Sequence, residues 1–427
     1  MEKIVLIDGM RTPFMRAGTT YMDTMSYELG QFALKGLLTK TGIDPAIVDQ
    51  VILGTVISNL KTSNVAREAA LSGGLQETTP CHTVTMACIS ANRAISTAVA
   101  EMLAGQYEVA IAGGVDCTSD TPITFRKAMQ KKLFKAQKIK SMGDSLKFLA
   151  SLKFKDFMPE RPRVAEYSTN RVMGQDCDIM AARFEVSRSA QDEFAVRSHH
   201  LAEKAWQDGH LGKEVVEVAL APKFRSEHKD NGIRGNSSIE KVGKLRPAFD
   251  KKYGTLTAAN SSFLTDGGAV CLLMTERKAK ELGLPIKAEI VDYVFTGQSP
   301  EDELLLGPAY ATAKILQKTG MKLEDFDVIE FHEAFAGQIL SNLRVLEDPK
   351  YSEGLLGWKS AVGAVNMDKF NLWGGSLSIG HPFGATGARL LTTSANRLIH
   401  EDGQYGLIAA CAAGAHGHAM IVKRYAQ

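Results

Sequence analysis

The chain reads as a duplicated α/β layered sandwich with a lobe inserted between its two halves. Three observations predict this. Short strand-like runs rich in Val, Ile and Ala alternate with helix-like runs, the pattern of strands covered on both faces. Matching landmarks recur in the same order in two places. Between them, from about Thr121 to Ser262, the alternation breaks for far longer than a connecting loop runs in a compact domain.

The landmarks justify the elements in order. Ile4-Val5-Leu6-Ile7 opens the chain as a strand. Lys40-Thr41-Gly42 closes a helix and leads to the strand Val51-Ile52-Leu53-Gly54; Lys318-Thr319-Gly320 leads in the same way to Val328-Ile329-Glu330-Phe331. Gly105-Gln106-Tyr107 precedes Val109-Ala110-Ile111-Ala112-Gly113, and Gly403-Gln404-Tyr405 precedes Leu407-Ile408-Ala409-Ala410-Cys411. A helix precedes each of these tripeptides, with Cys88 before the first and His381 before the second. The expected division is residues 1–120 with 263–283 as the first half, 121–262 as an inserted loop domain, and 284–427 as the second half. In open α/β sheets chemistry gathers at the carboxyl ends of strands, where Cys88, His332 and Cys411 fall.

With 427 residues the chain is long enough for two or three domains, and 44% hydrophobic with 23% charged residues is an ordinary globular composition. No run approaches the ~18 apolar residues of a membrane span. The first residues enter a strand directly, without signal peptide or Arg-rich presequence, which implies a cytoplasmic protein or a mitochondrial one already processed. The six cysteines, at 81, 88, 117, 177, 271 and 411, have no metal-binding spacing and are too sparse for a disulfide framework. Cys81, Cys117, Cys177 and Cys271 read as packing residues. The net charge of +2 is uneven: between Arg126 and Arg163 twelve Lys or Arg face three acids. That points to an anionic partner for the segment; no nucleic-acid motif accompanies it.

Four segments can carry chemistry together. Cys88 lies between His82-Thr83-Val84-Thr85-Met86-Ala87 and a helix-like run from Ile89, where helix amides favour a thiolate, the nucleophilic form. His332-Glu333-Ala334-Phe335 follows a strand. Gly374-Gly375-Ser376-Leu377-Ser378-Ile379-Gly380-His381-Pro382-Phe383-Gly384-Ala385-Thr386-Gly387 holds a histidine in a rigid turn. Cys411 enters the glycine-rich turn Ala412-Ala413-Gly414-Ala415-His416-Gly417-His418. His332-Glu333 lacks the second histidine of a zinc motif, and His416 and His418 lack a third ligand, so no metal is expected.

Met86-Ala87-Cys88, His332-Glu333-Ala334-Phe335, Gly380-His381-Pro382-x-Gly384 and the second cysteine Cys411 together resemble the thiolases over essentially the whole chain. His332, where many thiolases carry Asn, and Trp373 in Asn371-Leu372-Trp373-Gly374-Gly375 point to the group that forms the β subunit of the fatty acid β-oxidation trifunctional complex. The resemblance implies two mixed sheets in an α-β-α-β-α sandwich and cleavage of 3-ketoacyl-CoA by CoA to acetyl-CoA and a shortened acyl-CoA. It implies Cys88 as nucleophile, His381 as its base and Cys411 as the second acid and base. His332 and His381 would form one oxyanion hole, and the amides of Cys88 and Ala413 the other. Met173, Phe249, Ser262 and Phe335 would line the substrate and CoA. Coenzyme A is then a substrate, with no cofactor or metal. A homodimer core and a hydratase/dehydrogenase α subunit are the implied partners.

A biosynthetic acetoacetyl-CoA thiolase shares these residues; a non-catalytic, lipid-binding relative would be expected to have lost them. Close relatives usually carry Gly-Gly-Gln-Gly where this chain has Gly414-Ala415-His416-Gly417, so a positive φ at Ala415 would strain the turn by roughly 1 kcal/mol or more. Residues 126–163 interleave charge with Leu133, Ile139, Met142, Leu146, Phe148, Leu149, Leu152, Phe154 and Phe157. That pattern fits a solvated face over a packed lobe, attraction for CoA phosphates, or amphipathic helices meeting anionic lipid or the α subunit; the resemblance favours the last.

Overall fold

The computed structural model describes residues 2–160, 165–222 and 224–426. In the first half, strands run in the order Cys81–Val84, Gln50–Gly54, Val109–Asp116, Thr265–Thr275, Ile4–Arg11. In the second, the order is Val328–Phe331, Tyr405–Ala412, His416–Arg424, Ala288–Gly297. Four strands of each half pair alike: a parallel step (Gln50–Gly54 on Val109–Asp116; Val328–Phe331 on Tyr405–Ala412), then two antiparallel steps; the first half adds Cys81–Val84, parallel to Gln50–Gly54. The two expected sheets join edge to edge through Val5 opposite Glu289 and Leu6 opposite Ala288.

The repeat extends to side chains. Each half has a bulge, between Leu6 and Asp8 in one and between Ile290 and Asp292 in the other. Asp8 accepts from Lys40 Nζ at 3.0 Å, and Asp292 from Lys318 Nζ at 2.5 Å. Those lysines belong to the two Lys-Thr-Gly landmarks, whose glycines end the helices Ser26–Thr41 and Gly307–Thr319 with φ of 65° and 72°. A left-handed residue there suits glycine, which has no Cβ to clash. Asp49 caps the amides of Glu108 and Val109, as Asp327 caps those of Gln404 and Tyr405.

Three buried clusters separate five layers. One lies between the first half-sheet and Ser26–Thr41 with Val65–Gly73. A central one packs both halves around the helices Ser90–Leu103 and Thr386–His400. The third lies between the second half-sheet and Gly307–Thr319 with Ala336–Glu347. The helix Thr386–His400 is buried on nearly every side; most of its residues are apolar or small, and its two arginines, Arg389 and Arg397, are buried with them. A Cβ on Gly387 would sit 2.1 Å from Asn92 Oδ1, so the central helices cross where only glycine fits.

The region after Asp116 holds the helices Lys127–Ala136 and Met142–Ser151, then Met173–Arg183 and Arg188–Gln207. The last two pack against the second half. The first two leave Phe134, Met142, Leu146 and Leu149 exposed, and Phe154 in the turn after them is 86% exposed. The basic segment is therefore no packed lobe under a solvated face. Its last three residues, 161–163, lie outside the described residues. Among the described residues no helix is long and apolar enough to cross a membrane.

Candidate active site

Cys88 stands on a tight corner. The strand Cys81–Val84 ends earlier than the sequence predicts, and the helix starts at Ser90, two residues after the cysteine. Ala87 has φ of 46°, in the left-handed region. The Ser90 hydroxyl holds the corner: it accepts from the Met86 amide at 2.8 Å and donates to the Ala87 carbonyl at 2.7 Å. Gly54 ends its strand directly beneath, where a Cβ would lie 2.5 Å from the Ser90 carbonyl carbon.

Cys88 as a residue is half-buried. Burial pushes its thiol up to about 11, opposed by the amides of Ala413 and of Cys88 itself. The thiolate expected from the helix start is thus a neutral thiol at rest. Desolvation of the anion outweighs the amides.

His332 and His381 lie ring against ring, with centroids 4.0 Å apart. His332 leaves the strand Val328–Phe331, and its Nδ1 meets Ser376 Oγ at 2.9 Å. His381 Nδ1 meets Thr386 Oγ1 at 2.7 Å. Both rings are buried, and both Nε2 atoms are buried without a hydrogen-bond partner. Burial, then neighbouring positive charge, lowers both: His381 falls to about 3 and His332 well below the usual histidine range. Two neutral imidazoles thus lie side by side, each with an unpartnered Nε2.

Cys411, on the strand Tyr405–Ala412, is buried, and burial holds its thiol far above the usual value, with the Cys88 sulfur adding to the shift. The Ala413 amide lies against the Cys88 sulfur. The two cysteines, from opposite halves, therefore share one site. Ala415 has φ of 55°, the strained conformation that its departure from glycine raises. Glu166 accepts from the Gly414 amide at 2.6 Å.

The four expected lining residues gather together. Phe249 and Phe335 meet edge to face with centroids 5.8 Å apart. The Phe249 ring covers Gly174, leaving no space for a Cβ there, and Met173 packs into the same cluster. The Ser262 amide donates to the Ala334 carbonyl at 2.9 Å, beside the Ser261–Phe335 bridge. Cys117, Cys177 and Cys271 are buried and Cys81 is half-buried, as packing residues should be. His418 is buried against Asn92 and Phe295. Among the described residues no group of three His, Cys, Asp or Glu could hold a metal ion.

Comparison with known proteins agrees with this geometry. The model "Thiolase, N-terminal domain" matches residues 4–277 and "Thiolase, C-terminal domain" matches 284–424. The chain belongs to the thiolase family. Thiolase relatives include the human "Trifunctional enzyme subunit beta, mitochondrial", 52% identical over 425 residues, covering 100% of this chain and 89% of that protein. The Vibrio cholerae "3-ketoacyl-CoA thiolase" is 42% identical over 422 residues, covering 99% and 97%. The crystal structure of the Bacillus anthracis acetyl-CoA acetyltransferase superposes with TM-score 0.84 at 30% identity, covering 100% of this chain and 99% of that one.

Sequence reasoning missed residues that hold this candidate site together. Asp116 accepts from Ile57 N at 2.7 Å, Val56 N at 3.0 Å and Thr55 Oγ1 at 3.1 Å, and from Gly384 N in the other half at 2.6 Å. Burial raises its carboxyl to about 6 against those bonds. Asn371, at φ 46°, bonds Phe331 N and O and Glu333 Oε1. Ser376 and Thr386 stand five residues on either side of His381 within a quoted motif; small hydroxyls flanking a histidine in a glycine-rich turn were the available signal.

Proposed function

We propose that the protein is a degradative 3-ketoacyl-CoA thiolase of fatty acid β-oxidation. The observations that support this are two pairings of residues distant in sequence: Cys88 with Cys411 and the Ala413 amide, and His332 with His381. The relatives named for the same activity support it.

Cys88 sulfur attacks the 3-keto carbon as its proton passes to His381 Nε2. The tetrahedral oxyanion is held by the amides of Cys88 and Ala413. The C2–C3 bond breaks, leaving an acyl group on Cys88 and an electron pair delocalised onto the thioester oxygen. His332 and His381 hydrogen-bond that oxygen, and Cys411 protonates C2, releasing acetyl-CoA. The Cys411 thiolate then takes the thiol proton of incoming CoA. The CoA sulfur attacks the acyl carbon, and the departing Cys88 sulfur recovers its proton from His381. Neutral resting thiols suit this scheme: each proton moves only as carbon bonds change, near a transition state that fixed donors stabilise.

In this reading Met173 and Phe335 bound the acyl end, Phe249 and Ser262 meet the pantetheine arm, and CoA is a substrate with no cofactor required. A homodimer core, a hydratase/dehydrogenase α subunit, and a bacterial cytoplasmic or mitochondrial setting belong to the same proposal. The exposed apolar side chains of 127–158 among basic residues support contact with that subunit or with anionic lipid. Liposome co-sedimentation with the lysines of 127–140 neutralised tests the lipid version, which unchanged binding would remove. CoA-dependent cleavage of short and long 3-ketoacyl-CoAs, with Cys88→Ala as control, tests the activity. Turnover surviving in Cys88→Ala would refute the nucleophile, and cleavage confined to acetoacetyl-CoA would favour the biosynthetic alternative.

A further inference from the structure

Arg389 sits in the central helix with no access to solvent. Its Nη2 donates to Ser376 Oγ at 3.2 Å, and its Nη1 faces Glu330 Oε2 at 3.6 Å. Glu330 is already bonded through its other oxygen by Arg397 Nη1 at 2.7 Å. Arg397 also pairs with Glu401 through Nε and Nη2 at 2.7 and 3.0 Å. Arg389 Nε and Nη1 have no hydrogen-bond partner. Two buried guanidiniums thus share one buried carboxylate, and the less compensated one stands behind the imidazole pair.

The proton count through Ser376 has one solution. A guanidinium only donates; a hydroxyl can accept twice but carries a single proton, and among the described residues the Ser376 proton has no hydrogen-bond acceptor other than His332 Nδ1. With Arg389 donating to Ser376 Oγ, the hydroxyl proton is directed to His332 Nδ1. A neutral imidazole accepting at Nδ1 carries its own proton on Nε2, the unpartnered atom in the site. His381 is held differently. Thr386 Oγ1 lies 2.7 Å from His381 Nδ1 and 3.5 Å from the Pro382 carbonyl, with no cation on it. That hydroxyl can give its proton to Nδ1, or accept from Nδ1 and turn its proton to the carbonyl. His381 Nε2 is therefore free to be base or donor.

We propose that Arg389, acting through Ser376, is a positioning residue that locks His332 as a permanent Nε2–H donor and leaves His381 as the only imidazole able to take the Cys88 proton. The inference rests on the thiolase reading and divides labour within it. The charge of Arg389 also discourages protonation of both rings. The other charged or titratable groups around the pair are Glu330 and Glu333 beside His332, Asp116 on the His381 turn, and the thiols of Cys88 and Cys411.

The test begins from wild-type thiolysis and its loss in Cys88→Ala, which decide the thiolase reading alone. Histidine 15N spectra of the wild type should show His332 as the Nε2–H tautomer, a readout independent of turnover. Ser376→Ala, which leaves the ion cluster intact, should mix the tautomers and lower kcat about tenfold to hundredfold, with KM little changed. His332→Gln keeps an N–H donor that cannot take a proton, and should retain kcat within about tenfold of wild type, whereas His381→Gln should lose about a hundredfold or more. Arg389→Gln keeps a donor for Ser376 without charge, and should move the acidic limb of the pH profile upward. An Nδ1–H tautomer in the wild type would overturn the proposal. So would unchanged kcat and tautomer in Ser376→Ala, or equal losses in the two His→Gln variants. Should Arg389→Gln fail to fold, the Ser376→Ala arm decides.

Discussion

Acid should unfold this protein through its buried imidazoles, and His418 offers a clean measure of the effect. His418 takes no part in the proposed chemistry. Its Nδ1 is bonded by Asn92 Nδ2 at 3.0 Å, its ring lies 4.8 Å from that of Phe295, and burial lowers it to about 3. The folded value lies below the unfolded ~6.5, so the unfolded chain binds the extra proton throughout that window. Stability is then present above ~6.5 and is lost as pH falls toward 3. Between pH 7 and pH 5 the loss from one such imidazole is about 2 kcal/mol. His381, also near 3, and His199, near 4, add losses of similar sign. Asp116, raised to about 6, acts oppositely and returns about 1 kcal/mol over the same interval. His418→Gln preserves an acceptor for Asn92 and removes the titration. Urea unfolding at pH 7 and pH 5, on wild type and variant, gives the difference of differences, in which the direct cost of the substitution cancels. The variant should lose about 2 kcal/mol less than wild type on acidification. An unchanged pH dependence would refute the assignment of His418 as a neutral buried group.

Further predictions follow from the packing of the two halves. Gly114→Ala puts a Cβ 1.9 Å from the Gly384 carbonyl oxygen and 2.7 Å from that of Gly54, and should lower stability by about 3 kcal/mol, read by thermal melting. Ala415→Val places a β-branched side chain in a buried left-handed turn and should cost about 2 kcal/mol or more. Ala415→Gly should change the melting temperature little, since relief of ~1 kcal/mol of strain offsets the lost methyl. Asn371→Ala leaves the Phe331 backbone groups and one Glu333 oxygen unpaired, and should cost about 3 kcal/mol in chemical denaturation.

Much of this architecture was legible from residue order. The duplicated Lys-Thr-Gly and Gly-Gln-Tyr landmarks mark real structural equivalents, because each ends a helix or precedes a strand in the same way in both halves. The strand ends located Cys88, His332 and Cys411, and the motifs located His381. The charge state of Cys88 was not legible: helix amides are visible in a sequence, whereas the density of atoms around a sulfur is not. Asp116, Arg389 and Ser376 escaped for a related reason. Their roles depend on partners such as Gly384, Glu330 and His332, which the fold brings close although the sequence separates them. The interleaved basic and apolar residues of 127–158 read as amphipathic helices, and the helices there leave Phe134, Met142, Leu146 and Leu149 exposed.

Gly114 and Gly384 meet without room for a methyl group, Asp116 caps the His381 turn across the same boundary, and the two half-sheets are bonded at their edges. Such a junction has no hinge. Swinging one repeat away from the other would tear backbone contacts beside the candidate site. The segment between the repeats reaches the same place, where Glu166 accepts from the Gly414 amide of the Cys411 turn.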